Sequence, residues 1–246
     1  MTILIKIGGS VITEKAIDGS IRYDEIDHLA KTLVQIKEPL ILVHGAGSLG
    51  HPEAKRYHIN EGLSENNADG VFITHEAVSR LNTAVVSALR NAGMNAVSFP
   101  PFSAALSANG RLKFCGEEQI RCLLSAGITP VLFGDVVCDV EKGAAIVSGD
   151  QIVPYLAKAL NASKIGFITL TGGVVSGGKI VREITRNSVS SIIFESMDVA
   201  DVTGGMKGKL EELLLLADAG IESSIFSPSE LENFLNGDKC GTQVRA

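Results

Sequence analysis

The chain has 246 residues, of which 45% are apolar and 20% charged, with a formal net charge of −6. Those figures describe a globular protein with a sizeable core. They argue against a generic polyanion binder, because no run of Lys or Arg supplies a basic patch. Cys115, Cys122, Cys138 and Cys240 are scattered, with no CxxC pair and no His at ligand spacing. Buried thiols in a reducing compartment are therefore expected, rather than a disulfide or zinc site. The first residues enter a strand pattern without a signal-peptide layout, and no apolar stretch reaches the roughly 20 residues that cross a bilayer. The expectation is a cytoplasmic protein with no nucleic-acid or membrane partner.

In chain order, short apolar runs bounded by Gly, Asn or Pro predict strands at Ile3–Ile7, Leu40–Val43, Ala96–Phe99, Thr129–Phe133, Ile165–Leu170 and Ser224–Phe226. Being continuous and rich in Val and Ile, they suit strands covered on both faces. Helical spacing falls between them at Tyr23–Ile36, Val71–Ala92, Glu117–Ala126, Gln151–Leu160 and Gly208–Ala219, the last closed by Gly220. This alternation predicts an α/β fold with an open, mainly parallel sheet and helices on both faces. Ala105–Phe114 and Val136–Val147 interrupt it as β-hairpins, with turns at Asn109-Gly110 and near Lys142-Gly143. With no repeat and no Pro/Gly/Ser-rich linker, residues 1–246 read as one domain.

Three glycine clusters stand where backbone amides could meet phosphate. Lys6-Ile7-Gly8-Gly9-Ser10 ends the first strand, and Lys6 points opposite to Ile5 and Ile7. A buried ammonium calls for an anion, although a strand-end Lys can also snorkel to solvent. His44-Gly45-Ala46-Gly47-Ser48-Leu49-Gly50-His51 follows the second strand and precedes a helix. It reads either as an anion nest at a helix start or as a tight connection, and His51 beside it favours the nest. Asp201 through Lys209 opens the last long helix, where Lys209 opposes the helix dipole unless a polyphosphate reverses the field. Lys207 reads as a solvated neighbour. Neither GxGxxG nor GxxxxGK[ST] occurs, so dinucleotide-fold and Walker A explanations fail. Asp135 reads equally as a turn cap or as part of a pocket wall.

From Ile3 to about Arg245 these clusters, in this order, resemble the amino acid kinase superfamily. The nearest resemblance is to the archaeal-type isopentenyl phosphate kinases. It rests on Lys6-Ile7-Gly8-Gly9-Ser10-Val11-Ile12-Thr13 with Lys15 behind it, Val43 through His51 and Pro52, and Pro130-Val131. Gly134-Asp135-Val136, Ser148-Gly149-Asp150-Gln151, Asp201 through Lys209 and Gly241-Thr242 complete it. His51 narrows the choice, since acylphosphate-forming members generally lack it. The resemblance implies a three-layer αβα sandwich with β-hairpins around the substrate pocket and a homodimer. It also implies ATP with Mg²⁺, and a prenyl phosphate acceptor bound mainly by the N-terminal half. In that scheme Lys6, Gly8, Gly9, Ser10, Gly47, Gly204, Gly205 and Lys209 hold the nucleotide phosphates, with Lys15 near the transferred group. Ala46, Gly47, His51, Gly149 and Asp150 hold the acceptor phosphate, and Lys6, Lys15, His51 and Lys209 are the catalytic set. The acceptor tail would enter an apolar pocket lined partly by the Val71–Leu89 helix, which by spacing alone is an ordinary amphipathic helix. No carboxylate cluster is spaced as a dedicated metal site.

One segment departs from the family pattern. After the Ile165–Leu170 strand the family carries a Thr-Asp-Val-Asp-Gly turn, whereas this chain reads Thr171-Gly172-Gly173-Val174 and a short loop. Weaker ATP binding or another triphosphate is expected there. The alternatives are a kinase for another phosphate or phosphonate, such as a fosfomycin-like compound, and a non-catalytic nucleotide-binding regulator.

Overall fold

The structure is a computed structural model that describes residues 1–14, 19–192 and 205–246. In chain order its main elements are β1 (Ile3–Ile7), α1 (Gly9–Ile12), α2 (Tyr23–Leu33), β2 (Leu40–His44), α3 (Gly47–Arg56), α4 (Ala68–Asn91) and β3 (Ala96–Ser98). They continue with α5 (Pro101–Ala104), β4 (Ala105–Ala108), β5 (Arg111–Cys115), α6 (Glu117–Ser125), β6 (Thr129–Phe133), β7 (Asp135–Asp139), β8 (Gly143–Val147) and α7 (Gly149–Ala159). Next come β9 (Lys164–Ile168), the short pairs β10 (Val175–Ser176), β11 (Lys179–Ile180) and β12 (Glu183–Ile184), then α8 (Gly205–Ala217), β13 (Ser223–Phe226), α9 (Leu231–Asn236) and β14 (Thr242–Val244).

Eight strands form the central sheet in the order β12-β14-β13-β9-β1-β2-β6-β3. All its pairs are parallel except β13 with β14. The two-residue alternation of a strand divides the core into two layers. From β1, Ile3, Ile5 and Ile7 face Ile26 and Leu29 of α2, Leu81 and Val85 of α4 and Leu231 of α9. Leu4 faces the other way, toward Ile120 of α6, Ile152 and Leu156 of α7 and Leu210 and Leu213 of α8. Lys6 shares the face of Leu4, so the strand's own period aims its ammonium at α7 and α8.

The two predicted hairpins join into a second sheet, β5-β4-β7-β8, through parallel pairing of β4 with β7. That joining has no local sequence signal. The turn at Asn109 and Gly110 takes φ of 49° and 76°, the left-handed pair that an Asn-Gly hairpin uses.

Candidate phosphoryl-transfer site

At the carboxyl edge of the central sheet the ladder continues into the glycine turns. The Gly8 N–H donates to Ile168 O at 2.9 Å, Gly45 N–H to Ile7 O at 2.9 Å, and Gly134 N–H to His44 O at 3.0 Å. Ligands of open α/β sheets bind outside this edge. The Gly8 amide is thus used in the fold, and its neighbours carry the exposed part of the turn.

The first two glycine clusters press against each other. A Cβ on Gly45 would lie 2.6 Å from Gly9 N, and one on Gly9 would lie 2.6 Å from Gly47 Cα. Close approach, not dihedral freedom, therefore demands glycine at positions 9 and 45. Thr13 fastens the junction by donating to Gly9 O at 2.9 Å and accepting from Ser48 N–H at 3.1 Å. Ser10 lies in α1 and Gly47 opens α3. Ala46 is buried against Val78 and Phe133. His51 is half-buried one turn beyond Gly47. Helical side chains lean toward the N-terminus, so its ring leans back toward the glycine loop.

On the face of β1 that meets α7 and α8, Lys6 and Lys209 meet one carboxylate. Lys6 Nζ lies 2.7 Å from Asp150 Oδ1, and Lys209 pairs with the same oxygen. Both lysines are buried. Lys209 Nζ also stands 5.4 Å over the ring of Phe167, which is the register partner of Lys6 on β9. Burial pushes Lys6 down to about 8, with Lys209 adding repulsion against the pull of Asp150. At Asp150 burial acts upward, but Lys209 and Lys6 outweigh it and hold the carboxyl below its ordinary range.

The resemblance groups Asp150 with the acceptor-phosphate residues, and its carboxylate lies against the Lys6 and Lys209 ammonium groups. A carboxylate repels phosphate, and its place between two lysines holds both ammonium groups at one point. Gly149 makes room for that cluster, because a Cβ there would lie 2.9 Å from Lys6 Cε. Gly205 is the first residue of α8, and Lys207 is exposed, as expected. Lys15 and Gly204 lie outside the described residues.

Other polar groups had no spacing signal in the sequence. His44 is buried with Nδ1–H donating to Gly45 O and Nε2 accepting from Asn82 Nδ2–H, both at 3.1 Å. Burial pushes it down to about 4, so it is a neutral structural His. His75 of α4 holds Asp135 at 3.0 Å through Nδ1. Asp135 also accepts the amides of Phe102 and Val136, which ties the start of α5 to β7. The hydrogen bond to Asp135 raises His75, while burial raises Asp135 itself. Helix α4 divides its faces, with Ala77, Leu81 and Val85 in the core and Val78 against Ala46.

The departing turn after β9 is closely packed. Thr171 Oγ1 donates to Gly173 O at 3.0 Å, and Val174 N–H donates to Thr242 Oγ1 at 2.8 Å. A Cβ on Gly173 would lie 2.7 Å from Thr242 Oγ1, and one on Gly172 would lie 3.2 Å from Ser227 Cβ. A side chain at position 173 would collide with Thr242, and one at 172 would be crowded by Ser227 and strained by the φ of 69°.

A family model described as "Amino acid kinase family" matches residues 1–227. The chain belongs to the amino acid kinase family. Among relatives, it is 35% identical to the isopentenyl phosphate kinase of Methanothermobacter thermautotrophicus, over 98% of each chain. It is 32% identical to that of Methanocaldococcus jannaschii, over 99% of this chain and 98% of that one. A solved isopentenyl phosphate kinase structure superposes with a TM-score of 0.81 at 30% identity, covering 99% of this chain and all of its own. The amino acid kinase fold expected from sequence is therefore the fold observed. No described helix is long and apolar enough to cross a membrane.

Proposed function

We propose that the chain transfers the γ-phosphoryl group of ATP to isopentenyl phosphate, giving isopentenyl diphosphate and ADP. One observation carries the reading: two buried lysines converge on Asp150 at the edge where two glycine turns touch. Full-length likeness to isopentenyl phosphate kinases supplies the acceptor. An oxygen of the acceptor phosphate attacks the γ-phosphorus, and the bond to the β-phosphate oxygen breaks. A phosphate monoester is already nucleophilic near neutral pH, so no general base is needed. Catalysis reduces to aligning two anions and spreading charge on the moving group.

In this scheme Lys6 and Lys209 take up the charge of the transferred phosphoryl group and the leaving ADP, and Asp150 keeps them aimed. Amides of Gly9, Ser10 and Gly47 face the phosphates, and His51, one turn above Gly47, donates to the acceptor phosphate with Ala46 and Gly149 beside it. Gly204 and Gly205 belong to the nucleotide side, and Lys15 is proposed near the transferred group. The N-terminal half thus serves mainly the acceptor and the C-terminal half the nucleotide. No group of three His, Cys, Asp or Glu gathers among the described residues. Mg²⁺ would arrive with the ATP phosphates and offset their charge. A cytoplasmic homodimer is part of the same reading, with β3 at the open edge of the central sheet and its Val97 exposed. Light scattering checks the dimer.

The experiment is ADP release with isopentenyl phosphate, longer prenyl phosphates and a phosphonate, using ATP and GTP in parallel arms. Turnover of the phosphonate alone rejects the acceptor. ATP binding without turnover of any of them turns the protein into a nucleotide-binding regulator. GTP supporting turnover within about tenfold of ATP is expected, because the Thr171–Gly173 turn lacks acidic hydrogen-bond partners for a base or ribose. His51→Ala should lower kcat about 10²- to 10³-fold with little change in melting temperature. Equal losses of both would make His51 structural.

A further inference from the structure

Strand β5 lies at the edge of the second sheet, and its outer backbone is taken up by side chains of α7 instead of another strand. Gln151 accepts from Leu112 N–H through Oε1 and donates from Nε2 to Gly110 O at 3.1 Å. One turn later Tyr155 Oη lies 3.0 Å from Lys113 O and shares its single proton with the Glu117 carboxylate beside it. From the same strand Arg111 reaches α8 and grips Glu212 in a two-point pair, Nη1 on Oε1 and Nη2 on Oε2 at 3.2 Å. Glu212 is only 17% exposed against 57% for Arg111, so the carboxylate end of the pair is set into the fold. Behind the turn, Asp139 fixes the amides of Asn109 and Gly110 at 3.1 and 2.7 Å.

The anchor points lie next to the proposed catalytic groups. Gln151 follows Asp150 on α7, and Glu212 stands three residues after Lys209 on the same face of α8. Directly, α7 and α8 are tied near the site by the Asp150–Lys209 ion pair, and farther along by Lys158 Nζ donating to Leu215 O at 3.1 Å and by shared core packing. A bound polyphosphate competes for Lys209, so that tie weakens when the site is working. In the Gln151–β5–Arg111–Glu212 path the one cation, the Arg111 guanidinium, is already held at two points by Glu212.

Resting on the kinase reading above, we propose that β5 is a strut of phosphoryl transfer. In it Gln151, Arg111 and Glu212 are positioning residues that hold α7 and α8 at the spacing where Asp150 meets Lys209. Displacement of reacting groups by about 1 Å can cost 10²-fold, so loss of one outer anchor should cost less than that.

The test compares wild type, Arg111→Ala and the exchange Arg111→Glu/Glu212→Arg, reading steady-state kinetics, calorimetric ATP affinity and melting temperature. Arg111→Ala should weaken ATP binding and lower kcat by about 3- to 10-fold each, leaving the acceptor KM within about twofold. The exchange should recover at least half of both losses. Unchanged ATP affinity and kcat in Arg111→Ala would reduce the pair to a surface ion pair and overturn the strut. A loss that the exchange does not recover would assign Arg111 a direct contact with substrate, and would also overturn it. Gln151→Leu, which breaks the inner anchor, should shift ATP affinity in the same direction. ATP affinity needs no acceptor, so a wild type inactive on isopentenyl phosphate would sink the acceptor assignment while the strut is still decided.

Discussion

Asp139 is a buried carboxylate and Asp150 a half-buried one, its side chain 15% exposed, and burial pushes both upward in pKa. In each the partners win and the carboxyl ends below its ordinary range, yet the partners differ in kind. Asp139 is surrounded by dipoles of the fold: the amides of Asn109, Gly110, Glu141 and Lys142 and the hydroxyl of Ser107, all within 3.1 Å. Asp150 is held by two ammonium groups on long side chains from two other elements. Backbone amides in hairpin turns cannot leave their carboxylate without unfolding the turns. Lysines can rotate toward an incoming phosphate while Asp150 keeps them near. The first arrangement specifies a structure, and the second, in the proposed reading, stores charge for a ligand. Both stabilise above the ordinary Asp value of about 3.9 and lose that contribution as pH falls through the native value.

The sharpest way to break this comparison is to remove a charge from the Asp150 cluster. Lys209→Ala and Lys6→Ala should each lower kcat about 10²- to 10³-fold, the scale of losing one preorganised donor to a transition-state oxygen. Asp150→Asn leaves two buried ammonium groups without their counter-charge, which costs on the order of 3–5 kcal/mol. Pyrophosphate or ATP should return much of the lost melting temperature, since an anion re-supplies the missing charge. Scanning calorimetry with and without pyrophosphate reads this directly. If the ligand-induced shift in Asp150→Asn equals that of wild type, the cluster is not a phosphate site.

Asp139→Ala should behave in the opposite way. Several backbone donors around the two hairpin turns lose their acceptor, at about 1–3 kcal/mol for a buried group left unsatisfied. The loss should total about 2–4 kcal/mol, with no recovery by pyrophosphate and with kcat per folded molecule within a few-fold of wild type. Denaturant titration paired with active-site-normalised kinetics checks it. Rescue by an anion would erase the distinction between the two carboxylates.

The same contrast explains what was legible in the chain. Strand β1, the hairpin turn at Asn109-Gly110 and helix α8 follow from period and local turn chemistry, and they were found within a few residues. Lys6 was legible because a strand's alternation turns it away from Ile5 and Ile7. The role of Asp150 was not, because its partners lie far away in sequence, and only the folded sheet brings β1, α7 and α8 together. The same holds for His75 with Asp135 and for the pairing of β4 with β7. The acidic residues missing after β9 were plain in the sequence. How tightly Thr242 and Ser227 close on the glycines of that turn appears only in the fold.

The smallest expected effect concerns Lys6 in the free enzyme. Burial has pushed its ammonium down to about 8, so above that pH the ligand-free site begins to lose a proton. The profile of kcat/KM for ATP reports the free enzyme. It should fall on an alkaline limb near pH 8, by up to about tenfold per pH unit. The limb belongs to the Lys6–Asp150–Lys209 cluster as a whole, since three strongly interacting groups titrate together. Bound phosphates favour the charged lysine and raise its pKa, so kcat at saturating ATP should hold to higher pH than kcat/KM. For stability the sign is opposite to that of the aspartates. A lysine whose native pKa is lowered destabilises the fold while charged, and the penalty fades as pH rises from about 8 toward the unfolded value of about 10.4. Ligand-free Lys6→Met should therefore lose the pH 8 limb in ATP affinity measured by calorimetry, even where turnover is too slow to follow. A limb that persists in that variant would place the titrating group elsewhere and remove Lys6 from the nucleotide site.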